Sequence, residues 1–386
     1  MGHVGDVKQR AIRWGFWGAG AIADAVAGDF PRAPGASLHA VASRSPERAR
    51  RFALRHGIAH SYESLDALLS DAAIEVVYIA TPNHRHAEDS LAALRAGKAV
   101  LCEKPFALNH AQATQVAEEA RRRNLFCMEA MWTRFIPAIG AAKRSLDAGA
   151  IGAVRMMQGS FCYRVPPGAQ ASVFDRAQGG GALLDRGVYL VSLANYLLGN
   201  PQSIKGAATL TASGVDAQSV YQLTYADGAL ADFAASLEVR GTNEFLLSGE
   251  RGMLRLNEPF YRAHRMVLRS FQPPPIPSGE QSGAAPAGSR RLVSSLRNVP
   301  MLYSLRRRMT PLATLLEARH AQTFPFVGNG YQFELMEVNE CLRTGRIESQ
   351  IMPLQDSLDI LQTMDALRAQ WGLSYPQEEL PRPVEC

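Results

Sequence analysis

The stretch Ile12-Arg13-Trp14-Gly15-Phe16-Trp17-Gly18-Ala19-Gly20-Ala21-Ile22-Ala23 decides how the first third of the chain is read. Its first six residues suit a strand buried on both faces. G-x-G-x-x-A follows at once and opens into a helical pattern over 22–30. Gly18 permits the tight turn, Gly20 lets the backbone approach a pyrophosphate, and the small Ala23 lets helix and strand pack closely. At the helix start, the free N–H groups of Ala21 and Ile22 and the positive dipole end would take the phosphates. The motif by itself is common. Its position between a strand and a helix gives it weight and predicts a dinucleotide-binding domain.

The next strand, 38–42, ends in Ser43-Arg44-Ser45. An NAD-preferring site carries Asp or Glu there for the ribose 2′-OH. Ser43 and Arg44 instead offer a hydroxyl and a guanidinium, which suit a 2′-phosphate. NADP is therefore the expected cofactor, with NAD the alternative; the plain reading of Arg44 is a solvated loop residue. Helices are expected over 47–57 and 64–69, then a strand over 74–80 running into Thr81-Pro82-Asn83-His84-Arg85-His86. Pro82 stops the strand, so Thr81, Asn83 and His84 would face the cofactor from its carboxyl end. No carboxylate or cysteine cluster completes a metal set around His84 and His86, and no metal is expected.

A helix over 87–96 leads into Ala99-Val100-Leu101-Cys102, a short buried strand ending in Glu103-Lys104-Pro105. Ligands of open α/β sheets sit at the carboxyl ends of the strands. Lys104, followed by a proline that fixes the backbone, is placed there for chemistry, and Glu103 beside it for the cofactor. The alternative is a strand exit with solvated charges. A helix over 109–124, N-capped by Asn109, and a strand over 125–130 complete the strand–helix alternation of a doubly wound parallel sheet. Residues 1–134 form the expected Rossmann domain. Trp132 and Arg134 close it within reach of the cofactor, although a helix-start salt bridge serves Arg134 equally well.

Beyond residue 135 the pattern changes. A helix over 137–148 is followed by strand-like runs over 153–163, 203–212, 219–225, 229–239 and 243–248, with a hairpin signal at Ala226-Asp227-Gly228. A mostly antiparallel open-sheet α+β domain over 135–386 is expected, with helices over 331–344 and 356–371 returning across it. One segment breaks this order: Gln178-Gly179-Gly180-Gly181-Ala182-Leu183-Leu184-Asp185-Arg186-Gly187-Val188-Tyr189. Its glycines permit close approach to the other domain. Asp185 and Tyr189, four apart, share a helical face and would set a carboxylate and a phenol opposite Lys104. A core tyrosine and a buried capping aspartate are the plainer reading.

Taken together, Gly18-Ala19-Gly20, Ala80-Thr81-Pro82-Asn83-His84, Glu103-Lys104-Pro105 and the glycine segment ending at Tyr189 resemble the glucose–fructose oxidoreductase / inositol dehydrogenase / MocA (Gfo/Idh/MocA) family. Tyrosine at 189, where many members carry histidine, and Glu129-Ala130-Met131-Trp132-Thr133-Arg134 resemble its dimeric dihydrodiol dehydrogenase and D-xylose dehydrogenase-like branch. The resemblance leaves 272–324 outside it. Arg186 stands where a small or aliphatic residue is usual, and Ser192 where aspartate is frequent. The resemblance implies hydride transfer between nicotinamide and a carbinol or carbonyl carbon of a sugar, polyol or cyclic diol. It casts Tyr189 as acid/base, Lys104 as its activator and Asp185 as the group orienting substrate or Lys104. Bringing a tyrosine from a pKa of about 10 to neutrality takes roughly 4 kcal/mol. A lysine at about 4 Å supplies that only where water is largely excluded. Lys104 as the proton donor itself is the rival assignment. A ketoreductase for a nucleotide-linked sugar, or an NADP(H)-binding sensor without turnover, are the alternative functions.

Composition sets outer bounds. At 47% apolar, 20% charged and net charge +5 over 386 residues, the chain is an ordinary globular one. Nucleic acid is not an expected partner, because that role needs a clustered basic face. The five cysteines, Cys102, Cys127, Cys162, Cys341 and Cys386, show no paired spacing and read as reduced thiols of a cytoplasmic protein. No apolar run has the length of a membrane span. Residues 272–289 are rich in Pro, Gly, Ser and Ala, and 289–319 hold seven arginines against one glutamate. That insertion is read as packing on its own domain or on a second subunit, with an anionic partner or surface as the sharper reading. Membrane contact is not expected, and a homodimer or higher homo-oligomer is.

Overall fold

The computed structural model describes residues 10–166, 168–271 and 320–378; the basic stretch 289–319 and Cys386 lie outside the described residues. Strands β1 (Ile12–Trp17), β2 (Ala36–Ala42), β3 (His60–Tyr62), β4 (Val76–Ile79), β5 (Ala99–Glu103) and β6 (Cys127–Ala130) form one sheet. Its order is β3-β2-β1-β4-β5-β6 with every pair parallel. The chain moves outward from β1 to β3, then returns to the other side of β1 at β4. That reversal opens a crevice at the strands' carboxyl ends. Strand β4 is buried throughout, as helix cover on both faces requires.

Helices α1 (Ala21–Asp29), α2 (Pro46–His56), α3 (Leu65–Leu69), α4 (His86–Arg95) and α5 (His110–Arg123) supply that cover. Ser45, Ser64 and Asn109 cap three of them, each accepting from the backbone N–H three residues on. Strand β3 escaped the sequence reading because three edge residues, two of them exposed, carry no periodic signal.

Helix α6 (Pro137–Asp147) leads into the second sheet. It comprises β7 (Val154–Cys162), β8 (Ser203–Leu210), β9 (Asp216–Thr224), β10 (Leu230–Ser236), β11 (Phe245–Gly249), β12 (Gly252–Leu256), β13 (Arg265–Ser270) and β14 (Ala321–Thr323). The order is β14-β13-β12-β11-β7-β10-β9-β8, antiparallel apart from the β7–β10 pair. Strands β12, β13 and β14 were not expected. Because Ala321–Thr323 pairs with β13, the chain has rejoined the sheet before residue 324, where the insertion was expected to end.

Helix α7 (Val188–Leu198) is entered through a π-helical turn, Leu183–Gly187, a departure from α geometry often found at functional sites. Helices α8 (Gln332–Arg343) and α9 (Leu354–Trp371) do more than return over the second sheet. Helix α9 packs on α7 and β8 and also on α5 and β6, while α8 reaches β2 and the turn after β6. One buried carboxylate fixes this junction. Asp29 at the end of α1 accepts from the backbone N–H groups of Asn329, Gly330 and Tyr331 at 2.8, 3.0 and 3.2 Å, just ahead of α8.

Candidate active site

The crevice is a cleft of about 450 Å³ between the two sheets. One wall carries Trp17, Gly18, Gly20, Ser43, Arg44, Arg48, Thr81 and Asn83; the other carries Val173, Gln178, Gly180 and Asp185. Gly18 has φ +116°, and a Cβ there would stand 2.4 Å from the Ala80 carbonyl oxygen. A Cβ on Gly20 would meet no protein atom within 4 Å, so the backbone ahead of α1 lies open to the cleft. A turn closed underneath and open above, at a helix N-terminus, fits a dinucleotide pyrophosphate. Ala21 begins α1 and lines an adjoining depression with Arg48, while Ile22 leans half-buried on the core. His84 borders a second depression, beyond Trp17, Arg44, Thr81 and Pro82. Burial holds its imidazole below the usual histidine range.

The glycine segment is tied across the cleft. Asn83 Nδ2 donates to the Gly179 carbonyl at 2.8 Å, and Tyr375 Oη donates to the Gly180 carbonyl at 2.7 Å. Gly181 has φ +118°, with Asp216 filling the space where its side chain would go. Asp216 Oδ2 accepts from Leu183 N at 2.8 Å, Oδ1 has no partner, and the side chain is fully buried. Burial pushes its pKa up to about 7 from 3.8. The folded protein therefore retains a proton that the unfolded chain releases near pH 4. The resulting stabilisation is complete below that pH and is lost as pH rises through about 7. Against Asp216→Asn, the wild-type chain should be up to about 3 kcal/mol less stable at pH 8 than at pH 5, as measured by urea unfolding at both pH values.

Behind Asp185, which lines the cleft, Lys104 Nζ donates to that residue twice, to its carbonyl at 2.8 Å and to Oδ1 at 3.1 Å. The same ammonium lies 5.0 Å from the centroid of the Tyr189 ring. Lys104, Asp185 and Tyr189 thus meet, although Lys104 follows β5 while Asp185 lies on the π-helical turn and Tyr189 on α7. Asp185 is also approached by Arg186 Nε at 3.4 Å. Burial alone would raise the Asp185 carboxyl, but Lys104 and Arg186 outweigh it and hold the group below the usual carboxylate range.

Four expectations need correction. Tyr189 is not activated in this state of the protein. Burial, then the nearby Glu103 carboxylate, pushes its phenol well above 10, and its oxygen accepts from Trp132 Nε1 at 3.1 Å. Lys104 sits over the ring face, bonded to Asp185, and does not offset the burial. Glu103 lies behind the cleft: it is buried, accepts from Tyr78 Oη and from Lys104 N, and is raised by burial. Arg134 is nowhere near the cofactor cleft. It is 2% exposed and bonded to Ser192, Asn195, Ile351 and Asp356, locking α7 to the start of α9. Neither helix adjoins Arg134 in sequence, so its partners were illegible there. Trp132 likewise stands behind Tyr189, outside the cleft lining.

The sequence reading missed Trp17, Arg48 and Glu334. Arg48 had a signal, since it follows Arg44 by four residues on the first turn of a helix capped by Ser45. Glu334 had none. It is fully buried with neither carboxyl oxygen partnered, and burial with Glu103 nearby holds it well above the usual carboxylate range. His84 and His86 gather no metal set: among the described residues no group of three or more His, Cys, Asp or Glu is placed to hold a metal ion. His86 is buried between the carbonyls of Thr81 and Pro105.

A glycine turn at the switch point of a parallel sheet, with a lysine at the end of another strand of that sheet and a carboxylate and a phenol supplied by the second domain, defines a nicotinamide-dependent oxidoreductase. Residues 12–131 match the Gfo/Idh/MocA oxidoreductase model with its NAD-binding Rossmann fold, and 139–255 match that family's C-terminal domain. The chain belongs to the Gfo/Idh/MocA family, as a dehydrogenase or reductase of CH–OH groups. Human trans-1,2-dihydrobenzene-1,2-diol dehydrogenase is 32% identical over 378 residues, covering 96% of this chain and 99% of its own. Aldose-aldose oxidoreductase from Caulobacter crescentus, solved with glycerol, superposes with TM-score 0.73 at 24% identity over 92% of this chain and 96% of its own. A 3-ketoreductase from Actinomadura kijaniata, solved with NADP and TDP-benzene, gives TM-score 0.72 at 25% identity over 93% of this chain and 98% of its own.

Proposed function

We propose that this chain is an NADP-dependent dehydrogenase/reductase of a cyclic diol or sugar, working through Tyr189 and Lys104. The observation that carries the reading is the Lys104 ammonium, 5.0 Å from the Tyr189 ring centroid and bound to Asp185, which lines the cleft together with Arg44 and Arg48. Gly18, Gly20 and the start of α1 would hold the pyrophosphate, while Ser43, Arg44 and Arg48 would hold a 2′-phosphate. When bound, the nicotinamide accepts or supplies the hydride. The protein's own part is to orient the carbinol and to move its hydroxyl proton.

A phenol with a raised pKa stays protonated and is built to donate. In the direction of carbonyl reduction, Tyr189 passes its proton to the forming alkoxide, and the Lys104 ammonium stabilises the phenolate left behind. At an effective dielectric near 20 and the 5.0 Å that separates the ammonium from the ring centroid, that attraction is worth about 3 kcal/mol. Asp185 holds Lys104 in place and accepts from a neighbouring substrate hydroxyl. The second reading makes Lys104 the donor. It is favoured by the Trp132 bond on the Tyr189 oxygen and by the one N–H that Lys104 retains beyond its two bonds to Asp185.

We place the domain division at 134/135. A second copy of the chain would cover the outer face of the eight-stranded sheet, where Met156, Val220 and Leu230 are 44, 56 and 49% exposed. Cys102, Cys127, Cys162 and Cys341 are buried and unpaired, which suits a reducing, cytoplasmic setting.

The test incubates the protein with NADP⁺ or NAD⁺ and a panel of dihydrodiols, aldoses, inositols and nucleotide-linked sugars, following reduced-nicotinamide absorbance. Turnover of a diol or aldose with NADP⁺ supports the reading. Turnover confined to nucleotide-linked sugars transfers the assignment to a ketoreductase like the Actinomadura protein. Arg44→Ala and Arg48→Ala should each weaken NADP⁺ binding about 10- to 100-fold, through loss of a charge-assisted bond, while changing NAD⁺ binding less than threefold. Equal loss for both cofactors would remove the 2′-phosphate role.

A further inference from the structure

The wall opposite the glycine turn is a strip of chain over 172–181 that is folded on itself. Gly181 N donates to the Val173 carbonyl and Gly180 N to the Asp175 carbonyl, at 2.8 and 3.0 Å. Val173, Gln178 and Gly180 line the same cleft as Gly18, Gly20 and Arg44, so a dinucleotide held by the glycine turn enters and leaves past this strip. What fastens the strip lies outside it. Residues 373–378, after α9, are bound to the nucleotide domain at the start of α5. Gln112 Nε2 donates to the Gln377 carbonyl at 2.6 Å, and Asn109 Nδ2 to the Glu378 carbonyl at 3.1 Å. Arg368 on α9 joins the Glu378 carboxylate and the Leu108 carbonyl to the same junction.

From this anchored segment Tyr375 reaches the strip. It is 4% exposed, its ring centroid lies 4.9 Å from the Arg368 guanidinium, and its Oη donates to the Gly180 carbonyl at 2.7 Å. Beside it, at the exposed edge, Arg176 donates to the Ser374 carbonyl at 2.6 Å and to Ser374 Oγ at 3.0 Å. Glycines flank the captured carbonyl. Gly179 and Gly181 have φ +75° and +118°, and a Cβ on them would stand 2.5 Å from Leu108 and 2.2 Å from Asp216. With no side chain at any of these three positions, the strip is fastened there through its backbone.

We propose that Tyr375 is a positioning residue that latches this wall against the nucleotide domain and sets the rate at which the nicotinamide cofactor leaves. The inference rests on the cofactor lying in this cleft, and is independent of which residue moves the proton and of the choice between NADP and NAD. A hydrogen bond made only while the wall is in place favours that arrangement alone. Removing it strips the buried Gly180 carbonyl of that bond in the closed cleft, and costs nothing once the strip has moved out into water. The latch therefore acts on the escape of a bound cofactor and not on its first encounter with the protein.

The test measures release directly and does not depend on turnover. Protein loaded with NADPH, or with NADH where that is the form it binds, is mixed by stopped flow with excess oxidised cofactor. Loss of the bound reduced-nicotinamide fluorescence gives koff, and binding at several cofactor concentrations gives kon. Tyr375→Phe keeps the ring against Arg368 and removes only the hydroxyl. It should raise koff about 3- to 10-fold, the worth of one hydrogen bond, with kon within about twofold of wild type. Arg176→Ala, which cuts the neighbouring tie, should raise koff about two- to threefold and makes the comparison should the Phe variant fail to fold. An unmoved koff in the folded variant, whatever happens to Tm, makes the bond merely structural and overturns the proposal. So does a rise in koff matched by an equal fall in kon, the mark of a deformed pocket. Wild-type protein that binds neither cofactor would instead sink the reading of the cleft itself, and this inference with it.

Discussion

Tyr189→Phe should lower kcat by two to four orders of magnitude, the usual worth of a positioned proton donor, while cofactor affinity stays within about twofold. Lys104→Ala should do comparable damage for a different reason. It removes the charge that steadies the phenolate, and it leaves Asp185 with only Arg186 as a partner. Steady-state kinetics of both variants against the same substrate, with cofactor binding followed by fluorescence, separates the roles. If the Phe variant keeps turnover within tenfold of wild type while the Ala variant is dead, proton transfer belongs to Lys104. The raised phenol makes the first outcome the expected one in the direction of reduction. The buried Tyr189 is neutral before reaction and gives up its proton only as negative charge develops on the substrate oxygen.

Arg134→Met should cost about 3–5 kcal/mol of stability, the range for stripping one member from a buried ion pair, and lower Tm by about 10 °C. Arg134 is 2% exposed, and its guanidinium donates to Ser192, Asn195, Ile351 and Asp356. Methionine fills part of the volume but satisfies none of those acceptors. NADP⁺ affinity of the folded variant at low temperature should be unchanged, since Arg134 is absent from the cleft lining. A large loss of cofactor affinity without loss of Tm would restore the cofactor-binding role that the sequence suggested.

The two predictions mark where local sequence stops being informative. The first concerns residues legible from the chain. Lys104 follows an apolar strand, and Tyr189 follows a glycine run, so each announces its element and its end of that element. The second concerns a residue whose neighbours in sequence say nothing about its partners. Ser192 and Asn195 lie on α7 and Asp356 on α9, brought to Arg134 only when α9 packs between the two sheets. Arg186 is a parallel case. Its identity stood out in the sequence, but its bond to Asp185 and to two strand carbonyls depends on the π-helical turn that carries it.

What the sequence determined by itself was the nucleotide fold, the glycine turn, the capped helices and the placement of Lys104, Asp185 and Tyr189 at one end of their elements. Apolar period, turn chemistry and caps act over a few residues, so a few residues suffice to read them. Only the tertiary structure decided that Tyr189 is raised instead of activated, that Arg48 joins the cleft, and that Arg134 serves stability. Burial and charge proximity are properties of the packed chain, and no neighbour along the sequence carries them.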